Sequence, residues 1–185
     1  MTNHDGRQPD GTGTFHDRDV LSVAWQDICI ELDQEHRSWS ERFTAIRARM
    51  DRIDTSRLPE ALKCPVPACY RRTVIGARHT ATTDGFEGVL AHWRAGCDTP
   101  IHGHPPIVMY AVLTGHFRMY TFRLDGEQLV RVGELEVKAG EHLFHVGEGA
   151  GYDHFIHRVE CLEPGWTLNL YSDDARKGLV FGSPS

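Results

Sequence analysis

The sequence predicts a mainly β protein, a single small barrel or sandwich preceded by a helical segment, and three observations predict it. After residue 68 the chain breaks into short runs rich in β-branched and aromatic residues: TVIGA, GFEGVLAHW, IVMYAVL, HFRMYTFRL, LVRV, ELEVK and WTLNLYS. Turn-forming pairs punctuate them at Thr114-Gly115, Asp125-Gly126, Ala139-Gly140 and Pro164-Gly165, and many short strands with turns at roughly 8–12-residue spacing argue for that architecture. The 185 residues suffice for one well-packed domain and are few for two.

Taken in order, residues 1–14 are Gly/Asp/Thr-rich and are expected to form a disordered tail. Residues 15–66 form the expected helical segment. Leu21, Trp25, Ile28 and Leu32 repeat at helical 4-3-4 spacing, and Trp39, Phe43, Ile46, Met50 and Ile53 do so more cleanly, with Arg and Glu on the other side. Ser38 followed three residues later by Glu41 is a capping-box signal for the second helix. Pro59, Pro65 and Pro67 then close helical territory, and residues 67–182 make the barrel.

A formal net charge of −6 gives no basis for binding nucleic acid or an anionic membrane. No stretch approaches the roughly 20 apolar residues of a membrane span, and the first residues, MTNHDGRQPDGTGTF, lack the apolar core of a secretion leader. The expectation is a cytoplasmic protein. The five cysteines, at 29, 64, 69, 97 and 161, are odd in number and follow no framework, so they read as reduced thiols. Cys64 and Cys69 do not have zinc-ribbon spacing.

The unusual feature is twelve histidines, because histidine is the commonest protein ligand for metals. In GCDTPIHGHPP, residues 96–106, His102 and His104 stand two apart, so on a strand both point to one face. Two imidazoles converging in a sheltered interior need partners, since each unsatisfied buried polar group costs about 1–3 kcal/mol. His157, in IHRVE, is the candidate third ligand. His154 competes with it, because Gly151-x-x-His154 has the spacing of a second cupin motif. His4, His16, His36 and His79 read as solvated. His92 and His116 read as core residues or as neighbours of the site, and His142 and His145 precede a glycine-rich loop.

Gly96, His102, His104 and Gly115 fit the first cupin motif, G-x5-H-x-H-x3,4-E-x6-G, except that its glutamate falls on Val108 or Met109. Three neutral imidazoles then hold a divalent ion with its charge uncompensated and about three positions open. That set suits a chelating anion plus dioxygen, as iron(II) does in three-ligand facial sites. Zinc, nickel, copper and manganese also suit three histidines.

These blocks resemble the cysteine dioxygenase (type I) family, the thiol dioxygenase branch of the cupin superfamily. PIHGH is similar to its S/P-I-H-D-H ligand pair, IHRVE with Cys161 to its L-H-R-V-E-N, and TLNLYS to the strand carrying its active-site tyrosine, here Tyr171. A weaker match places Tyr70 and Arg72 on its Tyr-x-Arg, whose arginine binds the substrate carboxylate. The resemblance spans roughly residues 17–175. It implies a cupin (double-stranded β-helix, jelly-roll) barrel, one mononuclear Fe(II) on His102, His104 and His157, and Tyr171 and Arg72 as catalytic residues. Tyr70, Arg72, Met109, Asn169 and Tyr171 would contact substrate. It implies oxidation of a small thiol carboxylic acid, cysteine or a relative such as 3-mercaptopropionate or mercaptosuccinate, to its sulfinic acid by O2. The partners expected are that thiol and O2, with monomer and dimer both open.

There are departures. Thr167 and Asn169 stand where the family often has serine and histidine, and asparagine does not titrate near neutral pH. Gly103 replaces the aspartate between the ligand histidines. Val108 or Met109 occupies the position of the cysteine that some members crosslink to the tyrosine. Glu160 is expected either to order the His157 strand or to face solvent. The alternative reading is another metal-dependent cupin enzyme, an isomerase, lyase or carbon–carbon dioxygenase, or a non-catalytic metal- or ligand-binding cupin.

Overall fold

In the computed structural model, residues 20–64, 69–78 and 85–182 are described. The expected tail at 1–14, His4, His16, His79, Pro65 and Pro67 lie outside the described residues. Helix α1 (Val20–Leu32) buries Leu21, Ala24, Ile28 and Leu32. Helix α2 (Trp39–Met50) starts at the capping box: the Glu41 N–H donates to Ser38 Oγ, and the Ser38 N–H donates to Glu41 Oε2 at 2.8 Å. Two donors that a helix start leaves unpaired are thereby satisfied. Phe43, Ile46 and Met50 form its buried face, and Arg49 Nη2 bonds Glu31 Oε1 at 2.8 Å to join the helices. Pro59 does not close the helical segment. It caps the short helix α3 (Glu60–Lys63), where a missing N–H costs nothing.

Among the described residues eight antiparallel strands follow: β1 (Tyr70–Arg78), β2 (Phe86–Trp93), β3 (Ile101–His104), β4 (Ile107–Asp125), β5 (Gln128–Lys138), β6 (His142–Val146), β7 (His154–Tyr171) and β8 (Val180–Gly182). Long strands β4 and β7 pair with each other from Val108↔Tyr171 to Thr121↔His157. The first half of β4 and the last half of β7 sit between β6 on one side and β2 and β1 on the other. The other halves sit between β5 and the pair β3 and β8. The sheet therefore folds back on itself in two halves.

Two expected turns are not turns. Thr114-Gly115 lies inside β4 and Pro164-Gly165 inside β7. Gly115 has φ 89°, a Cβ there would stand 2.8 Å from Glu163 O and 2.9 Å from Gly165 Cα, and one on Gly165 would collide with Thr114 O. The register slips here, between Val112 and Phe117. The glycines thus mark the corner where two paired strands bend together from one half-sheet to the other, which needs close backbone approach rather than chain reversal. Asp125-Gly126 and Ala139-Gly140 do reverse the chain, between β4 and β5 and between β5 and β6.

Strand alternation then sorts the side chains. Leu90, Met109, Ala111, Leu168 and Leu170 pack outward against the helices. Ala91, Trp93, Tyr110, Val112, Phe117, Met119, Val159 and Cys161 fill the space between the half-sheets. With both faces covered, β2 is buried along almost its whole length, which explains its continuous apolar run.

Candidate metal centre

His102 and His104 lie on β3 and His157 opposite His102 on β7. The ring centroids form a near-equilateral triangle, 4.7, 4.7 and 4.8 Å on its sides. The candidate ligand atoms lie within 4.8 Å of one another. Nitrogens at about 2.1 Å from one shared ion can be at most about 4.2 Å apart, so a small closing of the side chains brings all three onto it. Among the described residues no carboxylate joins the cluster.

Backbone carbonyls set two of the tautomers. His102 Nδ1 lies 2.9 Å from Pro100 O, and His157 Nδ1 lies 2.9 Å from Phe155 O. A carbonyl only accepts, so each Nδ1 carries the proton and leaves the Nε2 lone pair for a metal. His104 is 3% exposed and neither of its ring nitrogens has a hydrogen-bond partner. Burial holds His104 and His157 well below the ordinary imidazole pKa, and the neighbouring imidazoles lower them further. Burial lowers His102 as well. A neutral, sheltered triad with an orphaned central imidazole fits a metal ion.

Gly103 has a structural cause. A Cβ there would stand 2.5 Å from Tyr152 O and 2.9 Å from Asp153 Cα, so no larger side chain has room between the two histidines. Across from it, β7 carries an extra residue, because His102↔His157 and His104↔His154 span two residues on β3 and three on β7. Phe155, in the bulge, has φ 45°, a left-handed conformation costing on the order of 1–3 kcal/mol for such a residue. Its ring packs 4.8 Å from His157. His154 stands apart from the triad and approaches His145, ring centroids 6.0 Å apart.

The triad opens on a cavity of about 80 Å³. Tyr70, Arg72, Asn169 and Tyr171 line it, together with Trp93, Tyr110 and Thr99. The Tyr171 ring stacks on His104 at 5.1 Å. Burial raises the Tyr171 pKa, against the pull of Arg72, so its hydroxyl stays a proton donor. Arg72 Nη2 stands 4.0 Å from Glu87 Oε2, and Glu87 is itself buried and accepts from the Ala175 N–H at 3.2 Å. Trp93 Nε1 donates to Thr167 Oγ1 at 3.0 Å, Asn169 Nδ2 donates to the same oxygen at 3.4 Å, and Asn169 Oδ1 is buried without a partner.

Met109 belongs elsewhere. It packs in the core facing the helices, because alternation on β4 turns Val108 and Tyr110 inward instead, so Met109 is not a substrate contact. Glu160 ties the strand that carries His157 to β4: it accepts from Tyr120 Oη at 3.2 Å and from Arg118. His92 stacks on Trp166 at 4.0 Å, His116 bonds Glu136, and His142 and His145 lie on β6, just ahead of the glycine-rich segment that starts at Gly147. Trp93, Tyr110, Thr99 and Glu87 were missed by sequence reasoning. For Trp93 and Tyr110 the signal was strand parity, since each lies an even number of residues from other inward positions.

No protein-family model matches the chain, and no curated protein matches it. Solved structures do resemble it. An RmlC-like cupin from Shewanella frigidimarina is 18% identical over 58% of this chain and 79% of its own, with a TM-score of 0.43. The oxalate decarboxylase of Bacillus subtilis, a protein with Mn(II) centres, is 19% identical over 63% of this chain and 29% of its own, with a TM-score of 0.46. KdgF from Halomonas sp. is 19% identical over 58% and 83%, with a TM-score of 0.40. The likeness concerns fold alone, and the strand pairing described above is what defines the architecture. It is a cupin-type barrel with short N-terminal helices. No helix among the described residues is long and apolar enough to cross a membrane.

Proposed function

We propose that the protein is an iron-dependent thiol dioxygenase that converts a small thiol carboxylic acid to its sulfinic acid, RSH + O2 → RSO2H. The observation that carries this reading is a triad of neutral histidines, without a carboxylate, at the floor of a cavity that also holds Arg72. Divalent iron on His102, His104 and His157 would supply the redox chemistry that joins dioxygen to sulfur, and an uncompensated dication favours an anionic thiolate.

The chain's own residues supply the rest. Arg72 offers the substrate carboxylate a planar fork of donors, and Glu87 beside it restrains the guanidinium. Tyr171, held protonated by burial, donates its hydroxyl hydrogen to substrate or product oxygen in the cavity. Thr167 and Trp93 hold Asn169 through the shared Thr167 Oγ1, leaving Asn169 Oδ1 to accept from a donor on the substrate. Tyr70 stacked on Trp93 at 4.4 Å makes an aromatic wall that excludes water from one side.

The test is oxygen uptake by anaerobically iron-loaded protein given cysteine, 3-mercaptopropionate or mercaptosuccinate. Uptake with sulfinate formation is expected. No uptake from any of the three at full iron occupancy refutes the reading and favours a non-oxidative cupin reaction.

A further inference from the structure

A second chemically competent group sits beside the cavity wall, built from three of the five cysteines. Tyr70 pairs with Trp93 across β1 and β2, and one step further the Arg94 N–H donates to Cys69 O at 3.1 Å. The chain then turns at Gly96, and Cys161 receives it: the Gly96 N–H donates to Cys161 O at 2.8 Å and the Cys161 N–H to Cys97 O at 2.7 Å. The turn returns the chain so that Cys97 follows closely on the Cys69–Arg94 pairing, and burial together with the neighbouring Cys69 thiol raises the Cys97 pKa. Cys69 is exposed and Cys97 buried. Cys161 is also buried, but its Sγ donates to Glu163 O at 3.2 Å, so its hydrogen is engaged elsewhere. All five thiols are free.

We propose that Cys69 and Cys97 form a modification site, an exposed thiol with a buried partner that closes to a disulfide when a peroxide reaches Cys69. The Cys69 thiol gives up its proton, its sulfur attacks one peroxide oxygen, the O–O bond breaks, and the departing hydroxide takes up that proton as water, with sulfenic acid on Cys69. Cys97 sulfur then attacks the Cys69 sulfur, the S–O bond breaks, and the departing hydroxide takes the Cys97 proton as water. The sum is 2 RSH + H2O2 → RSSR + 2 H2O: two thiols lose two electrons and the peroxide gains them. Burial and the neighbouring Cys69 thiol push the Cys97 pKa up to about 11, so Cys97 waits as a protonated thiol while Cys69 meets the oxidant. The bond staples the start of β1 to the β2–β3 turn. It thereby clamps the Tyr70–Trp93 stack that forms one wall of the cavity.

The test uses the full reduced chain and stoichiometric hydrogen peroxide, followed by thiol counting and mass mapping of a non-reducing digest. The titre is expected to fall by two thiols from five, with one peptide linking Cys69 to Cys97 that a dithiol reductant releases. Cys69→Ser, at an exposed position, and Cys97→Ala should each abolish the link, and Cys161→Ala and Cys64→Ser should leave it. A link between Cys64 and Cys69 or between Cys97 and Cys161 overturns the assignment, as does oxidation of Cys69 to sulfinic acid with no bridged peptide. The outcome is independent of thiol dioxygenase activity, since the readout is on this chain's own cysteines.

Discussion

Replacing His104 by leucine should stabilise the metal-free protein and destroy its response to metal. His104 is 3% exposed and both ring nitrogens lack partners, so without an ion the native state carries a buried donor and a buried acceptor unpaired. Each such group costs about 1–3 kcal/mol, and a leucine of similar volume removes both. Packing adjustments against Tyr171, which stacks on this ring, return about 1 kcal/mol. The net expectation is a gain of about 1–5 kcal/mol, or roughly 2–20 °C in Tm for a chain of this size. Metal acts in the opposite direction. At one hundred times Kd a ligand adds about 2.7 kcal/mol to a protein that binds it, and the wild type alone gains this. Thermal denaturation in chelator and then in saturating Fe(II), Ni(II) or Zn(II) reads both signs. A His104→Leu protein destabilised by more than about 1 kcal/mol in chelator would mean that the imidazole has partners the triad does not explain.

Further outcomes follow from the same geometry. His157→Ala should weaken metal binding by two orders of magnitude or more by competition titration, while His154→Ala, outside the triad, leaves it within a few-fold. Under the proposed function, Arg72→Gln should raise KM for thiol carboxylates by about 10–100-fold, the loss of a charged hydrogen bond of about 1.5–3 kcal/mol, with little change for a thiol amine lacking the carboxylate. Equal effects on both would remove Arg72 from carboxylate binding. Burial lowers the His142 pKa in the folded state, against the pull of Asp51 at 3.2 Å. The unfolded chain therefore binds the extra proton more readily, and stability must rise with pH until the unfolded imidazole has titrated, near about 6.5. His142→Gln should reduce the slope of urea-denaturation stability between about pH 5 and 7 by the His142 share, with the buried triad histidines supplying the rest, and an unchanged slope would refute the burial effect.

The parts of the fold legible in the sequence were those with local causes. Apolar spacing placed both long helices, and Ser38 with Glu41 marked the start of α2 as the capping hydrogen bonds form it. The β runs were legible as strands, but their joining was not. Thr114-Gly115 and Pro164-Gly165 carry turn residues, and only the pairing of β4 with β7 reveals that both serve a shared corner. The same limit applies to the site. His102 and His104 share a face by period-two alternation, whereas the choice between His154 and His157 depends on the bulge at Phe155, whose positive φ no local pattern announces. Met109 was misplaced because the motif's spacing is uncertain by one residue, and one residue on a strand exchanges cavity for core. Glu87 escaped notice because its role beside Arg72 arises between strands β1 and β2.

Under the proposed function, His102, His104 and His157 hold one metal that serves oxidation of a thiol held beside it. The most direct test is turnover of the fully iron-loaded protein under isotopically heavy dioxygen, with mass spectrometry of the product. One dioxygen consumed per thiol is expected, with both heavy atoms in the sulfinate and loss of the signal in His157→Ala but not in His154→Ala. A product carrying a single heavy oxygen, or turnover that survives removal of His157, would contradict that function.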